Sequence, residues 1–185
     1  MNLGRTLRTT VVTLGLVNVI ALTSPASAIE PGKDGFYHTG SGVRTKSVAF
    51  VNVRVYAIRH DMKCLPSAKA KQAVIDADCD KRFSWRMLRD VESEKIQNSL
   101  KEAFKNNSYG DTAKIDLFLA AFKGELKEGS GVSISYSADK MATTLWVQGG
   151  SSSTIVGADF MKAVWSIWFG NLDQKSLTEA LMSNL

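Results

Sequence analysis

The chain has 185 residues, 44% of them hydrophobic, and a formal charge of +5 from 23 Lys and Arg against 18 Asp and Glu. That length suits one hydrophobic core. Its acids and bases are interspersed rather than gathered into a basic stripe, so nucleic acid is not the partner the composition points to. Two histidines far apart, two cysteines without CxxC spacing, no phosphate-cradling glycine loop and no nucleophile elbow leave no metal site, cofactor or hydrolytic triad to expect.

Residues 1–28 carry Arg5 and Arg8, then an apolar run over 11–22, then Pro25-Ala26-Ser27-Ala28, the small-x-small pattern of a signal-peptidase site. Cleavage is expected after Ala28. The run is short for a bilayer span and no cysteine stands there to take a lipid, both of which argue for cleavage; a retained membrane anchor is the alternative. The expected product is a periplasmic or secreted single domain, 29–185, whose charge falls to about +3 once Arg5 and Arg8 are removed.

Residues 29–34 form a polar leader and 36–44 read as a first strand. Its small residues Gly40-Ser41-Gly42 are expected to turn and deliver Arg44 to the mouth of a sheet, where the planar guanidinium can grip an anionic or carbonyl oxygen. A second strand is expected over 46–59. Its alternation sets Ser47, Ala49, Val51, Val53, Val55 and Ala57 on one small, apolar face suited to packing under helices.

His60 beside Asp61 resembles a dyad, but neighbours on an extended chain point to opposite faces, so the pair is assigned to a surface loop. Cys64 and Cys79 flank a short helix expected over 66–77 with Pro66 in its first turn. In an oxidising compartment they are expected to pair, adding ~3 kcal/mol by closing the loop; two free thiols are the alternative.

Residues 82–89 return to strand alternation with Phe83, Trp85 and Met87 on one side. A helix over 93–107, capped by Asp90 or Ser93, aligns Ile96, Leu100 and Phe104; a second over 112–126 aligns Ile115, Phe118, Leu119, Phe122 and Leu126. Strands over 132–136, 143–147 and 153–156 form a meander, with a reversal at Gly149-Gly150. From Gly157 the pattern is helical again, with Phe160, Val164, Ile167 and Trp168 on one face, and a last helix ends at Met182. This is an α+β order in which a sheet is covered chiefly on one side. Trp85, Trp146, Trp165 and Trp168 are assigned to the core, and Arg54, Arg86 and Arg89 to solvated or ion-paired strand positions.

Three blocks resemble the bacterial chalcone isomerase-like family: Gly40-Ser41-Gly42-Val43-Arg44 with the strand to Tyr56; Arg86-Met87-Leu88-Arg89-Asp90-Val91 with Ser93-Glu94-Lys95-Ile96; and Gly157-Ala158-Asp159-Phe160 with Trp165-Ser166-Ile167-Trp168-Phe169-Gly170. The resemblance implies an open-faced β-sandwich, a large antiparallel sheet backed by helices with the ligand in a cleft between them. It also implies an arginine at the reactive oxygen, here Arg44. The family's strand threonine falls at Val51, the tyrosine before the Ser-Glu-Lys block at Glu92 and the polar asparagine at Ser99. A further polar position falls near Phe160 or Met161.

Valine cannot donate a hydrogen bond, so the oxyanion donors of an isomerase are expected to be missing. Glu92, at a helix start, reads as a dipole-complementing surface residue or, alternatively, a base. The resemblance therefore implies a noncatalytic protein binding a small apolar carboxylate such as a fatty acid, contacted at Arg44, Val51, Glu92 and Ser99. An intramolecular lyase acting on a chalcone-like substrate and a ligand-free periplasmic scaffold, with Arg44 in an internal ion pair, are the alternatives.

Overall fold

In the computed structural model, which describes residues 29–185, two long strands come first, β1 (Tyr37–Val48) and β2 (Val51–Met62). The expected leader and its cleavage site lie outside the described residues. A short helix α1 (Lys71–Asp76) leads to β3 (Lys81–Met87). Then β4 (Val91–Glu92), α2 (Ser93–Asn106), α3 (Thr112–Leu119) and β5 (Glu125–Leu126) form an excursion closed by the β4–β5 pair. The chain finishes with β6 (Gly131–Ser137), β7 (Ala142–Val147), β8 (Ser152–Val156), α4 (Ala158–Phe169) and α5 (Lys175–Leu181).

The main sheet is antiparallel throughout, in the order β1-β2-β3-β6-β7-β8. Period-two alternation buries Phe83, Trp85 and Met87 of β3 and Val132, Ile134 and Tyr136 of β6 beneath the helices. Ser84, Ser133, Ser135 and Thr144 alternate onto the uncovered face. Helix α4 supplies the centre of the core, where Phe83 meets Trp168 at 4.4 Å and Trp165 at 5.2 Å between ring centroids. Each such aromatic pair adds ~1 kcal/mol beyond its buried area. This is the expected open-faced α+β sandwich.

The first hairpin departs from its sequence reading in three ways. The glycines at 40 and 42 lie inside β1 rather than in a turn, and the chain reverses instead at Ala49-Phe50, both with positive φ (46° and 67°). Glycine is needed at 40 and 42 because α5 lies close: a Cβ on Gly42 would stand 2.6 Å from Leu177 Cδ1. Third, the register steps from Arg44 opposite Tyr56 to Thr45 opposite Arg54, which leaves Val55 as an extra, bulged residue. Beyond the bulge it is Tyr56, Ile58, His60 and Met62 that face the helices, not Ala57.

His60 and Asp61 do point to opposite faces, but they belong to β2 and not to a surface loop. His60 is fully buried: Trp165 Nε1 donates to its Nε2 (2.9 Å) and its Nδ1 lies 2.6 Å from Thr39 Oγ1. Asp61, on the other face, accepts from Arg59 Nε (2.7 Å) and Arg82 Nε (3.1 Å).

The expected helices are shorter than their periodicity. Only Lys71–Asp76 of 66–77 is helical, and α3 stops at Leu119, after which Gly124, with φ +64°, leads the chain into β5. Asp90 does not cap α2; its carboxylate accepts from Glu128 N (2.7 Å) and Lys127 Nζ (3.1 Å). Cys64 and Cys79 are joined in a disulfide that bridges the loop holding α1.

Candidate functional site

The bulge sets up the site. Because Val55 is the extra residue, both Val55 and Tyr56 face inward, and with Val53 they form one wall of a cavity. Helix α2 lies opposite, presenting Lys95, Ile96, Ser99 and Leu100, the i, i+4 pairs of a single stripe. The floor is the indole of Trp85, stacked on Tyr56 at 4.6 Å with the rings 7° from parallel. This cavity encloses about 230 Å³ and adjoins a second of about 100 Å³ under α4, and Arg44, Lys46, Tyr56, Ser99 and Leu100 belong to the walls of both.

Arg44 is 7% exposed at this junction. Its Nη1 donates to Asp173 Oδ1 (2.6 Å) and Gln174 Oε1 (3.3 Å). Gln174 is itself fixed, donating through Nε2 to Val43 O (2.9 Å) and accepting from Thr45 N (2.9 Å). Only Nη1 is engaged among the described residues, leaving Nε and Nη2 without a protein partner. Tyr56 offers a further donor. Its hydroxyl accepts from Trp168 Nε1 (3.3 Å) and has no acceptor of its own among the described residues.

The larger cavity's wall carries four cations, Arg44, Lys46, Arg89 and Lys95, and no carboxylate. Burial pushes the Tyr56 phenol up to about 12, so it stays protonated near neutral pH. Asp173, in the smaller cavity, is held below the usual carboxylate range chiefly by the hydrogen bond from Arg44. The arrangement is a short apolar slot with fixed cationic and hydroxyl donors at one end, fit to hold an anionic head group and an apolar tail.

Of the residues expected at a ligand, Arg44 and Ser99 meet in both walls. Val51 and Glu92 belong to neither. Val51 sits at the exposed end of the hairpin, next to the reversal at Ala49-Phe50. The Glu92 side chain is 65% exposed and pairs with Lys95 at 3.0 Å. Phe160 and Met161 are fully buried in the core. Tyr56, Lys46, Lys95 and Arg89 were missed. Arg89 had been assigned to a strand, yet it lies beyond the end of β3 at the cavity wall, and Lys95 could have been found one helical turn before Ser99. Trp146, assigned to the core, is half-exposed on the uncovered face.

Comparison with known proteins agrees with this geometry. No curated protein matches the chain. Among solved structures it is similar to the crystal structure of an Arabidopsis thaliana fatty-acid binding protein, with a TM-score of 0.67 and 15% identity over 83% of this chain and 90% of that one. At that identity the likeness shows the fold. The profile of the chalcone isomerase-like family matches residues 20–183, nearly the whole sequence, and the chain therefore belongs to the chalcone isomerase-like family.

Proposed function

We propose that this protein binds a small amphiphile with an anionic head and an apolar tail, a fatty acid being the reference ligand, and catalyses no reaction on it. The observation that carries this is the buried Arg44 guanidinium, half engaged and half free, at the end of an apolar cavity without a carboxylate in its wall. The Arabidopsis fatty-acid binding protein of the same fold supports it. The head group would meet Arg44 Nε and Nη2 and the Tyr56 hydroxyl, while Val53, Val55, Trp85, Val91, Ile96 and Leu100 enclose the tail. The N-terminal segment and the disulfide support a periplasmic or secreted setting.

The test is to extract the purified protein, identify bound acyl ligands by mass spectrometry, and titrate a fatty acid into the parent and Arg44→Ala. A charge-assisted contact of this kind contributes ~2 kcal/mol, so the variant should bind about thirtyfold more weakly. Equal retention by the variant would remove Arg44 from the role.

One observation favours a second reading, a scaffold without ligand: the 2.6 Å pair of Arg44 with Asp173. Absence of any copurifying or titratable amphiphile would decide for it. Acceleration of chalcone cyclisation above the spontaneous rate would instead revive an isomerase.

A further inference from the structure

Strand β2 pairs with β3 from Tyr56 onward and Val55 O still accepts from Leu88 N (2.9 Å), so residues 45–54 project beyond the sheet as a two-stranded ribbon. At its tip Ala49 and Phe50 both take positive φ, the backbone of a two-residue turn usually filled by Asn-Gly and unfavourable for Ala and Phe. That turn holds the Phe50 ring wholly in solvent, 104% exposed, beside Val51 at 62%. The ring packs against nothing among the described residues.

The charge around the tip is one-sided. Between Thr45 and Val55 the ribbon has two cations, Lys46 and Arg54, and no acid. Arg54 is exposed and has no ion-pair partner among the described residues. The same ribbon forms the cavity wall through Lys46 and Val53, with Val55, Arg89 and Lys95 on the same rim. Among the described residues no helix is long and apolar enough to cross a membrane.

Lys46 reaches Asp173 at 3.5 Å and Lys95 pairs with Glu92, while Arg54 and Arg89 have no ion-pair partner among the described residues. An exposed aromatic beside such cations matches the interfacial zone of a bilayer, where a ring inserts among the acyl carbonyls and cations meet anionic head groups. We propose that the tip of the β1–β2 hairpin docks the protein on an anionic lipid surface and turns the cavity rim toward it. The purpose of docking, exchange of an amphiphile, rests on the ligand assignment above; the docking itself does not.

The experiment is sedimentation of the chain 29–185 with phosphatidylcholine vesicles, with and without phosphatidylglycerol. Binding is expected only to the vesicles containing phosphatidylglycerol, and should weaken with added salt. Phe50→Ala should lower partitioning about tenfold, Phe50→Trp should retain it, and Arg54→Gln should reduce it about threefold. The Phe50 ring buries nothing in the fold, so the melting temperature of Phe50→Ala should match the parent. Arg44→Ala should bind vesicles as the parent does, so a failed ligand and a failed docking surface give different results. Three outcomes would overturn the proposal: equal binding to both vesicle types, no effect of Phe50→Ala, or a Phe50-dependent dimer without vesicle binding.

Discussion

Helix α5 is seated on β1 through backbone that leaves no room for a side chain, and Gly40→Ala tests this directly. A Cβ at position 40 would lie 2.1 Å from Ala180 O and 2.7 Å from Leu181 C, where ordinary contact starts near 3.4 Å, so the end of α5 must retreat by more than 1 Å. The retreat stretches the bond from Thr39 Oγ1 to Leu181 O (2.9 Å) and that from Asn184 N to Thr39 O (3.0 Å), and it opens the pocket of the fully buried Leu181. Two weakened hydrogen bonds and part of one leucine give a loss of about 3 kcal/mol. For a domain of this size that lowers the melting temperature by ~6–12 °C. Gly110, whose Cβ would meet nothing within 4 Å, is the control, and Gly110→Ala should change stability by less than ~0.5 kcal/mol. Thermal unfolding followed by circular dichroism reads both. A Gly40→Ala protein melting within about 2 °C of the parent would refute the seating of α5 and, with it, the account of why β1 carries these glycines.

Asp173→Asn keeps an acceptor for Arg44 Nη1 while removing the competing charge. Because Asp173 is 61% exposed, stability should change by less than ~1 kcal/mol. Fatty-acid affinity by calorimetry should rise about threefold, and a fall would mean that the charge of Asp173 is itself required for binding. Burial holds His60 neutral, its pKa well below the ordinary 6.5, with Lys81 and His38 acting in the same direction. The folded pKa is the lower one, so this stability is present above pH 6.5 and is lost as pH falls below it, by up to ~1.4 kcal/mol per pH unit. Denaturant melts between pH 7 and 5 should show that slope, and a His60→Leu variant as steep as the parent would exclude His60 as its source. Reducing the Cys64–Cys79 bond, which closes a loop of sequence separation 15, should cost ~3 kcal/mol; a reduced protein as stable as the oxidised one would show that α1 is held by packing alone.

Much of the fold was legible because hydrophobic period and secondary structure agree in β3, β6, α2 and α4, where Phe83-Trp85-Met87 and Ile96-Leu100-Phe104 mark the buried faces. The first hairpin was not legible, for two physical reasons. Its turn residues, Ala49 and Phe50, carry no turn signal, whereas Gly40 and Gly42 carry one and sit mid-strand to admit α5. The bulge at Val55 then shifts the alternation by one residue, so neither of the two expected faces is the real one along its whole length. The same shift explains the site. Arg44 stands at the step itself, opposite Tyr56, and Ser99 on an unbroken helix, and both line the cavity. Val51 lies on the far side of the bulge from Tyr56, beside the hairpin turn, where it is exposed and lines neither cavity.

The Arg44–Asp173 pair, which a scaffold would use as an end state, also has the form a reversible binder needs. A guanidinium buried at 7% exposure cannot be left without hydrogen-bond acceptors except at a desolvation cost, so an empty cavity requires resident acceptors for it. Asp173 fills that need from the solvent side and, with Gln174, holds Nη1 so that Nε and Nη2 are oriented before any ligand arrives. Ordering a free arginine on binding would cost ~1 kcal/mol, which this arrangement avoids. The distinction between scaffold and carrier therefore does not lie in the ion pair. It lies in the N–H groups of Nε and Nη2 left over, the Tyr56 hydroxyl and the apolar cavity that Arg44 lines, features that an internally satisfied arginine in a filled cleft would not have.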